Sequence, residues 1–285
     1  MQDLILERLY KNIKNTDNLK SSHWKKMFEK NGNVSNKSLH FGFGSYTKKG
    51  FKNLLYDFLN KKIFGKEIFN SKSYKLYKSI FDQTDRYIDI DTLRHILTFE
   101  KLKAYVNPKK ICIIGDGKLN GVLGAHLSFP EAKIYNVNLT ETLINDYLIL
   151  RELNIELNNS IGLVDEIDFK EEKKLNFIPA NFKNYLINKN IDFFITIAAF
   201  QEMTVGEIDN YFKIISSNKS TLYCCGREYK KLVGGEEIYF DKYPWSNSKK
   251  IFWENCPWNQ KWSSLRYPFI HKYDGQVKHC LVDFS

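Results

Sequence analysis

A chain of 285 residues with 43% hydrophobic and 15% aromatic residues can bury a sizeable core, which excludes a disordered protein. No stretch reaches the roughly 18 uninterrupted apolar residues of a membrane helix, and the opening MQDLILERLYKN carries acids where a signal peptide has its apolar centre. A soluble, cytoplasmic protein is therefore expected.

The net charge of +10 lies wholly in the first third: residues 1–105 hold 21 Lys/Arg against 11 Asp/Glu, the remainder 22 against 22. Lysine-rich solvated helix faces account for such an excess. A surface for an anionic partner, a phosphorylated sugar carrier or nucleic acid, is the sharper alternative, but no arginine cluster or basic-aromatic alternation favours it. The five cysteines, Cys112, Cys224, Cys225, Cys256 and Cys280, are scattered and lack a CxxC pair. Neither a zinc site, a disulfide framework nor a catalytic thiol is expected, and no metal.

Residues 1–106 read as a helical, basic N-terminal region. DLILERLYKNI, KGFKNLLYDFLNKKIF and SKSYKLYKSIFDQ carry apolar residues at helical spacing. The polar, glycine-rich NGNVSNKSLHFGFGSYTKKG between them predicts a loop, and DIDTLRHILTFEKLKAYV a helix capped by Asp89 or Asp91. After Asn107-Pro108 the pattern alternates: strand KKICIIG, helix NGVLGAHLSF, strand AKIYNVN, helix LTETLINDYLILREL, strand KLNFIPA, short helix FKNYLINK, strand IDFFITIAA. Thr204 and Glu207 form a capping box opening VGEIDNYFKIISS, and STLYCCG is a fifth strand. This predicts an α/β fold over 107–285 with a doubly wound, mostly parallel sheet. An aromatic-rich insertion at about 227–276 carries Trp245, Trp253, Trp258 and Trp262; it reads as a substrate lid or as a packing flap. VKHCLVDF closes the chain as a strand.

The turn Gly115-Asp116-Gly117 after the first strand lies where open α/β sheets bind ligands, and its glycines let the backbone approach one closely. A dinucleotide fingerprint would place a third glycine at 120; Asn120 stands there and Gly121 follows. The second strand ends in Asn138-Leu139, where a ribose-binding acid is usual; Asn138 also reads as a helix cap with Glu141 reaching back. Asn181 and Phe182 after the third strand could meet an adenine ring. Ala199 and the polar Gln201-Glu202 follow the fourth strand at the mouth of the sheet, where a carboxylate could deprotonate a hydroxyl. His271 and His279 are secondary candidates on titration range alone.

These segments resemble the bacterial sugar O-methyltransferases, over about residues 85–285. Asn138-Leu139-Thr140 stands where that family has Asp-Leu-Pro, and Ala199-Phe200-Gln201-Glu202-Met203 at its Ser-x-x-Glu-Met. Gly226-Arg227 stands at its Asn-Arg pair, and Tyr243-Pro244-Trp245 matches directly; Ile113 stands where the family has an acid. The resemblance implies a Rossmann-like sheet, S-adenosylmethionine as cofactor, and methyl transfer to a hydroxyl of a sugar or glycan in polysaccharide biosynthesis. Together with the strand-end readings above, it gives cofactor contacts from Gly115, Asp116, Gly117, Asn138, Leu139, Asn181, Phe182 and Ala199 and catalysis by Glu202, with His271 a catalytic candidate on its titration range alone. Substrate contacts fall to Gln201, Arg227, Tyr243 and Trp245. Three other readings compete. One is a degenerate, non-catalytic member, and another a nicotinamide-dependent oxidoreductase or epimerase, for which Tyr185 and Lys189 give a Tyr-x-x-x-Lys spacing. The third is a nucleic-acid methyltransferase using the basic N-terminal region.

Overall fold

The computed structural model describes residues 2–31, 50–84, 86–165 and 172–285. Among the described residues six α-helices precede the first strand: α1 (Gln2–Asn12), α2 (Ser22–Asn31), α3 (Phe51–Phe64), α4 (Glu67–Asn70), α5 (Lys72–Phe81) and α6 (Ile90–Leu102). Most of the expected glycine-rich loop, residues 32–49, lies outside the described residues. The α6 start follows its cap: the Asp89 carboxylate accepts from Thr92 N–H at 2.9 Å.

Alternation then sets in as the sequence predicts. Strand β1 (Lys110–Ile114) leads to α7 (Asn120–Ser128), β2 (Lys133–Asn138), α8 (Thr140–Glu152), β3 (Ile161–Leu163), β4 (Leu175–Pro179), β5 (Phe193–Ile197), α9 (Val205–Ser217) and β6 (Thr221–Arg227). The chain continues through β7 (Tyr229–Lys231), β8 (Glu237–Tyr239), β9 (Lys249–Asn255), β10 (Lys261–Ser263), β11 (Ile270–Lys272) and β12 (Val277–Asp283). Eight strands make one sheet in the order β3-β4-β2-β1-β5-β6-β12-β9. The six from β3 to β6 run parallel; β12 is antiparallel to β6, and β9 to β12. Winding reverses between β1 and β5, and the carboxyl ends of such a pair splay open into a crevice.

The central strands β1 and β5 are continuous, buried apolar runs because both faces of the sheet are covered there. Along β1, Ile111 and Ile113 enter one apolar cluster while Cys112 and Ile114 enter another on the opposite face. The first cluster also takes Leu9, Tyr77, Phe81, Leu93 and Phe99, so the N-terminal helices share their core with the sheet. Helices α6 and α7 cross closely at Gly124, where an added Cβ would lie 2.1 Å from the Phe99 ring. Part of the basic excess is spent within the molecule: Arg8 pairs with Asp165, Lys20 with Glu141 and Lys101 with Glu254. Among the described residues no helix is long and apolar enough to cross a membrane.

Three local expectations change. The three-residue β3 adds an edge strand before β4. FKNYLINK is a 3-10 helix spanning Ala180–Leu186. The aromatic insertion is mostly sheet: β9 joins the main sheet, while β7-β8 and β10-β11 are small hairpins. Trp245 and Trp253 pack with Phe212, Phe240 and Tyr243 on the second cluster, which makes this part of the insertion a packing flap.

Candidate functional site

The β1–α7 turn is shaped by its glycines. Gly115 has φ +77°, its N–H reaches Val137 O at 2.9 Å, and a Cβ there would lie 2.3 Å from the Ala199 Cβ. Only a residue without a Cβ lets β1 and the β5 loop approach this closely. Asp116 folds back over the start of α7, its two carboxylate oxygens accepting from Gly121 N–H (2.8 Å) and Val122 N–H (2.7 Å). The chain thus supplies its own anion to the positive end of α7. Beneath it Asp146 accepts from Leu119 N–H and Asn136 Nδ2, both at 2.9 Å; burial, with Asp116 nearby, pushes its carboxyl well above the usual range. Asn120, where a dinucleotide fingerprint has glycine, ties the turn to the N-terminal helices instead: its Oδ1 accepts from Arg86 (2.8 Å) and Thr92 (3.2 Å). The close helix-strand approach is shifted to Gly121, where a Cβ would meet Ile113 at 2.8 Å. Ile113, where the resembled family has an acid, belongs to the apolar core.

Above this turn opens a cleft of about 400 Å³. One end is formed by Asn138, Leu139, Thr142 and Ala180, the middle by Gly115–Gly117 and Ala199, and the other end by Gln201, Arg227, Asn259 and Tyr273. At the first end two buried polar groups lack partners among the described residues: Asn138 Nδ2 and Thr142 Oγ1. Such groups are rare in folded proteins and costly unless a ligand completes them. The expected cap geometry of Asn138 is not made. Its Oδ1 accepts from Leu139 N–H (2.9 Å), while Glu141 turns away to Lys20.

The roof comes from far away in sequence. Leu19, Ser21, His23, Trp24 and Met27 cross the cleft and are pinned on both sides. Lys20 holds Glu141 on one side; on the other Ser21 Oγ donates to Glu202 O (2.5 Å) and Ser22 Oγ to Glu236 (2.6 Å). His23 Nε2 lies 3.7 Å from Glu202 Oε2, and the second Glu202 oxygen bonds Lys230 at 2.6 Å. Burial pushes the His23 imidazole below its ordinary 6.5, against the opposing pull of Glu202, so it is neutral at pH 7.

Gly115, Asp116, Gly117, Asn138, Leu139, Ala199, Gln201, Glu202 and Arg227 all line this cleft. The structure takes the other candidates elsewhere. Asn181 is bonded to Asn12 at 3.0 Å, because the end of α1 lies over the 3-10 helix; Phe182 packs against the second cluster. Tyr243 is buried in that cluster, and Trp245 donates its Nε1–H to Phe240 O (2.8 Å). His271 stacks on Trp262 at 4.2 Å and bonds Ser264 in the β10–β11 hairpin, outside the cleft lining. His279 is fully buried between Tyr223 and Glu254. Tyr185 and Lys189 also lie outside the lining, the lysine over the tyrosine ring at 4.2 Å. Sequence reasoning missed His23, Trp24 and Tyr273. No local motif marks them, since each reaches the cleft only through tertiary packing.

No family model and no curated protein matches the chain. Its fold is similar to several solved structures. One is the cyclopropane synthase MmaA2 from Mycobacterium tuberculosis (9% identity, 66% of this chain, 83% of that one, TM-score 0.42). Another is a mutant of MtNAS in complex with S-adenosylmethionine (13%, 81% and 74%, 0.41). A third is the mitomycin 7-O-methyltransferase MmcR (10%, 75% and 61%, 0.38). At such scores neither cofactor nor reaction transfers to this chain.

Proposed function

We propose that this protein is an S-adenosylmethionine-dependent methyltransferase acting on a hydroxyl of a sugar or glycan. The observation that carries the cofactor reading is Asp116 on the α7 N-terminus. A dinucleotide places its pyrophosphate at that helix end. Here a carboxylate already holds the N–H groups, and a diphosphate would meet a buried negative charge. A donor with a cationic sulfonium and no phosphate suits the same cradle. Tyr185 and Lys189, outside the cleft, also leave the nicotinamide reading without its acid-base pair.

The residues fit such a donor. Gly115 and Gly117 give backbone approach, and the unpartnered Asn138 Nδ2 and Thr142 Oγ1 offer a donor and a hydroxyl to a ribosyl group. When bound, S-adenosylmethionine supplies an electrophilic methyl carbon. This chain's task is to position the accepting oxygen in line and to take its proton. His23, neutral and in the roof, accepts that proton, and Glu202 at 3.7 Å stabilises the resulting imidazolium. Trp24 and Tyr273 replace Trp245 as the aromatic faces of a sugar site, with Gln201 and Asn259 beside them.

Calorimetry with S-adenosylmethionine, S-adenosylhomocysteine and NAD tests the reading. Binding of the first two with Kd on the order of 1–100 μM, with none for NAD, is expected. No affinity for the first two at millimolar ligand would overturn it.

His23 gives a pH prediction independent of substrate. The unfolded imidazole takes its proton near 6.5 and the folded one only below that, so stability falls as pH drops through this window. Urea unfolding at pH 7.5 and 5.5 should show a larger loss for wild type than for His23→Gln; equal losses would remove the depressed imidazole. The half-buried His126, shifted the same way, is common to both proteins and cancels.

A further inference from the structure

We infer that the acceptor carries an anionic group, a carboxylate or a phosphate, and that Arg227 receives it. This rests on the methyltransferase reading only in calling the bound molecule an acceptor. Four Lys and Arg side chains line the cleft. Three are bonded to carboxylates: Arg94 to Asp91 (2.9 Å), Lys118 to Asp89 (2.9 Å) and Lys230 to Glu202 (2.6 Å). Among the described residues the Arg227 guanidinium has no carboxylate and no hydrogen-bond acceptor; it sits over the Tyr273 ring, 4.6 Å from the centroid. A half-buried guanidinium without an anion has lost hydration and gained only a cation-π contact. Its five donors form a fork that matches a carboxylate or phosphate.

The corner is built, not incidental. Gln201 Oε1 accepts from Arg227 N–H at 2.6 Å and fixes the backbone at the end of β6. Arg94 fixes the shelf under the guanidinium: it donates to Tyr273 OH at 3.0 Å, and a second contact places it 5.6 Å from the same ring centroid. Arg94 is more than nine-tenths buried, and its Nε–H has no partner, a second unused donor on the same shelf.

Position separates this corner from the donor. Cys225 pairs with Ile197 at the end of β5, so Arg227 lies two residues beyond the last β5–β6 pair. Strand β6 is second from β1, about 10 Å away at the usual spacing of strands. Gln201 and Arg227 therefore lie on the β6 side of the cleft, away from Asn138 and Thr142 at the β2 side. The other cleft carboxylates, Asp116 and Glu207, are held by backbone N–H groups and by Lys183. Nothing on the walls competes for the arginine.

Ligand-observed NMR of inorganic phosphate and of acetate, at constant ionic strength and with and without S-adenosylhomocysteine, tests this. Wild type should bind at least one anion at millimolar concentration, phosphate alone indicating a phosphorylated acceptor and acetate alone a carboxylated one. Arg227→Gln should weaken binding about tenfold or more, and Arg227→Lys should retain part of it as a point charge. Lys213→Gln, which removes the same charge from an exposed site on α9, should leave binding unchanged. Thermal unfolding confirms that the variants fold. Absence of binding to both anions, or binding indifferent to Arg227, would overturn the inference. So would a loss of S-adenosylhomocysteine affinity in Arg227→Gln with 5′-methylthioadenosine unaffected, since the arginine would then grip the donor's own carboxylate. Phosphate binding through Arg227 in a protein that ignores S-adenosylhomocysteine would instead sink the methyltransferase reading and leave the anion site standing.

Discussion

Gly115→Val is expected to abolish S-adenosylhomocysteine binding and lower thermal stability, whereas Gly117→Ala should keep the fold. The two glycines differ in what stands opposite them. At Gly115 a Cβ would lie 2.3 Å from the Ala199 Cβ, and both atoms are fixed by backbone. Gly115 N–H is bonded to Val137 O, and the Ala199 segment is held by Ala198 N–H to Cys225 O (2.7 Å) and Glu202 N–H to Ala199 O (2.9 Å). Neither side can yield without parting β1 from the β5 loop, which are the two walls of the cradle. Overpacking of this kind costs about 1–3 kcal/mol, and a side chain at φ +77° about 1–2 more. Even Gly115→Ala should therefore lose about 2–5 kcal/mol, a fall of roughly 4–20 °C in Tm. At Gly117 the nearest atom to an added Cβ is Thr142 Cγ2 at 4.0 Å, so only the strain of φ +63° is felt. Scanning calorimetry and titration calorimetry on the three variants decide the matter. Wild-type Tm and affinity in Gly115→Ala would show that the two walls move freely.

How much of this was legible in the sequence depends on whether the signal is local. The parallel strands were, because burial on both faces forces continuous runs such as KICII and FFITI, and each run is bounded by its own turn. The three-residue β3 was not, since IGL is too short to carry a period. The floor of the cleft was legible for the same reason as the strands: Gly115, Asn138, Ala199 and Glu202 lie at or just past the carboxyl ends of β1, β2 and β5. The roof was not. Trp24 and His23 lie on a helix whose sequence, SHWKKMFEKN, reads as an ordinary amphipathic face. The Tyr243-Pro244-Trp245 segment misled because an aromatic cluster has one composition whether it stacks on sugar or fills a core. Only the structure shows that the Trp245 N–H is satisfied five residues back by Phe240 O. The basic first third misled in part for a related reason: the partners of Arg8, Lys20 and Lys101 lie more than a hundred residues on, beyond any charge-pattern window.

Asp116→Ala should destabilise the protein and change what the α7 N-terminus binds. The carboxylate satisfies two N–H groups at the start of α7, and it is only 7% exposed. Each buried donor left without a partner costs about 1–3 kcal/mol, and the helix end also loses its favourable charge. A loss of about 2–4 kcal/mol is expected by urea unfolding, and Asp116→Asn, which keeps one acceptor, should lose about half of that. The vacated helix end then acts as an anion site. In the Arg227→Gln background, where the proposed anion corner is silent, phosphate should stabilise Asp116→Ala but not the protein that retains Asp116. If phosphate stabilises both equally, Asp116 does not guard the helix end, and the argument that the cradle rejects a pyrophosphate fails with it. If only Asp116→Ala responds, one carboxylate both holds the turn together and selects a phosphate-free donor. A charge-reversing variant such as Asp116→Lys would then combine both losses, with two unpaired N–H groups facing a like charge.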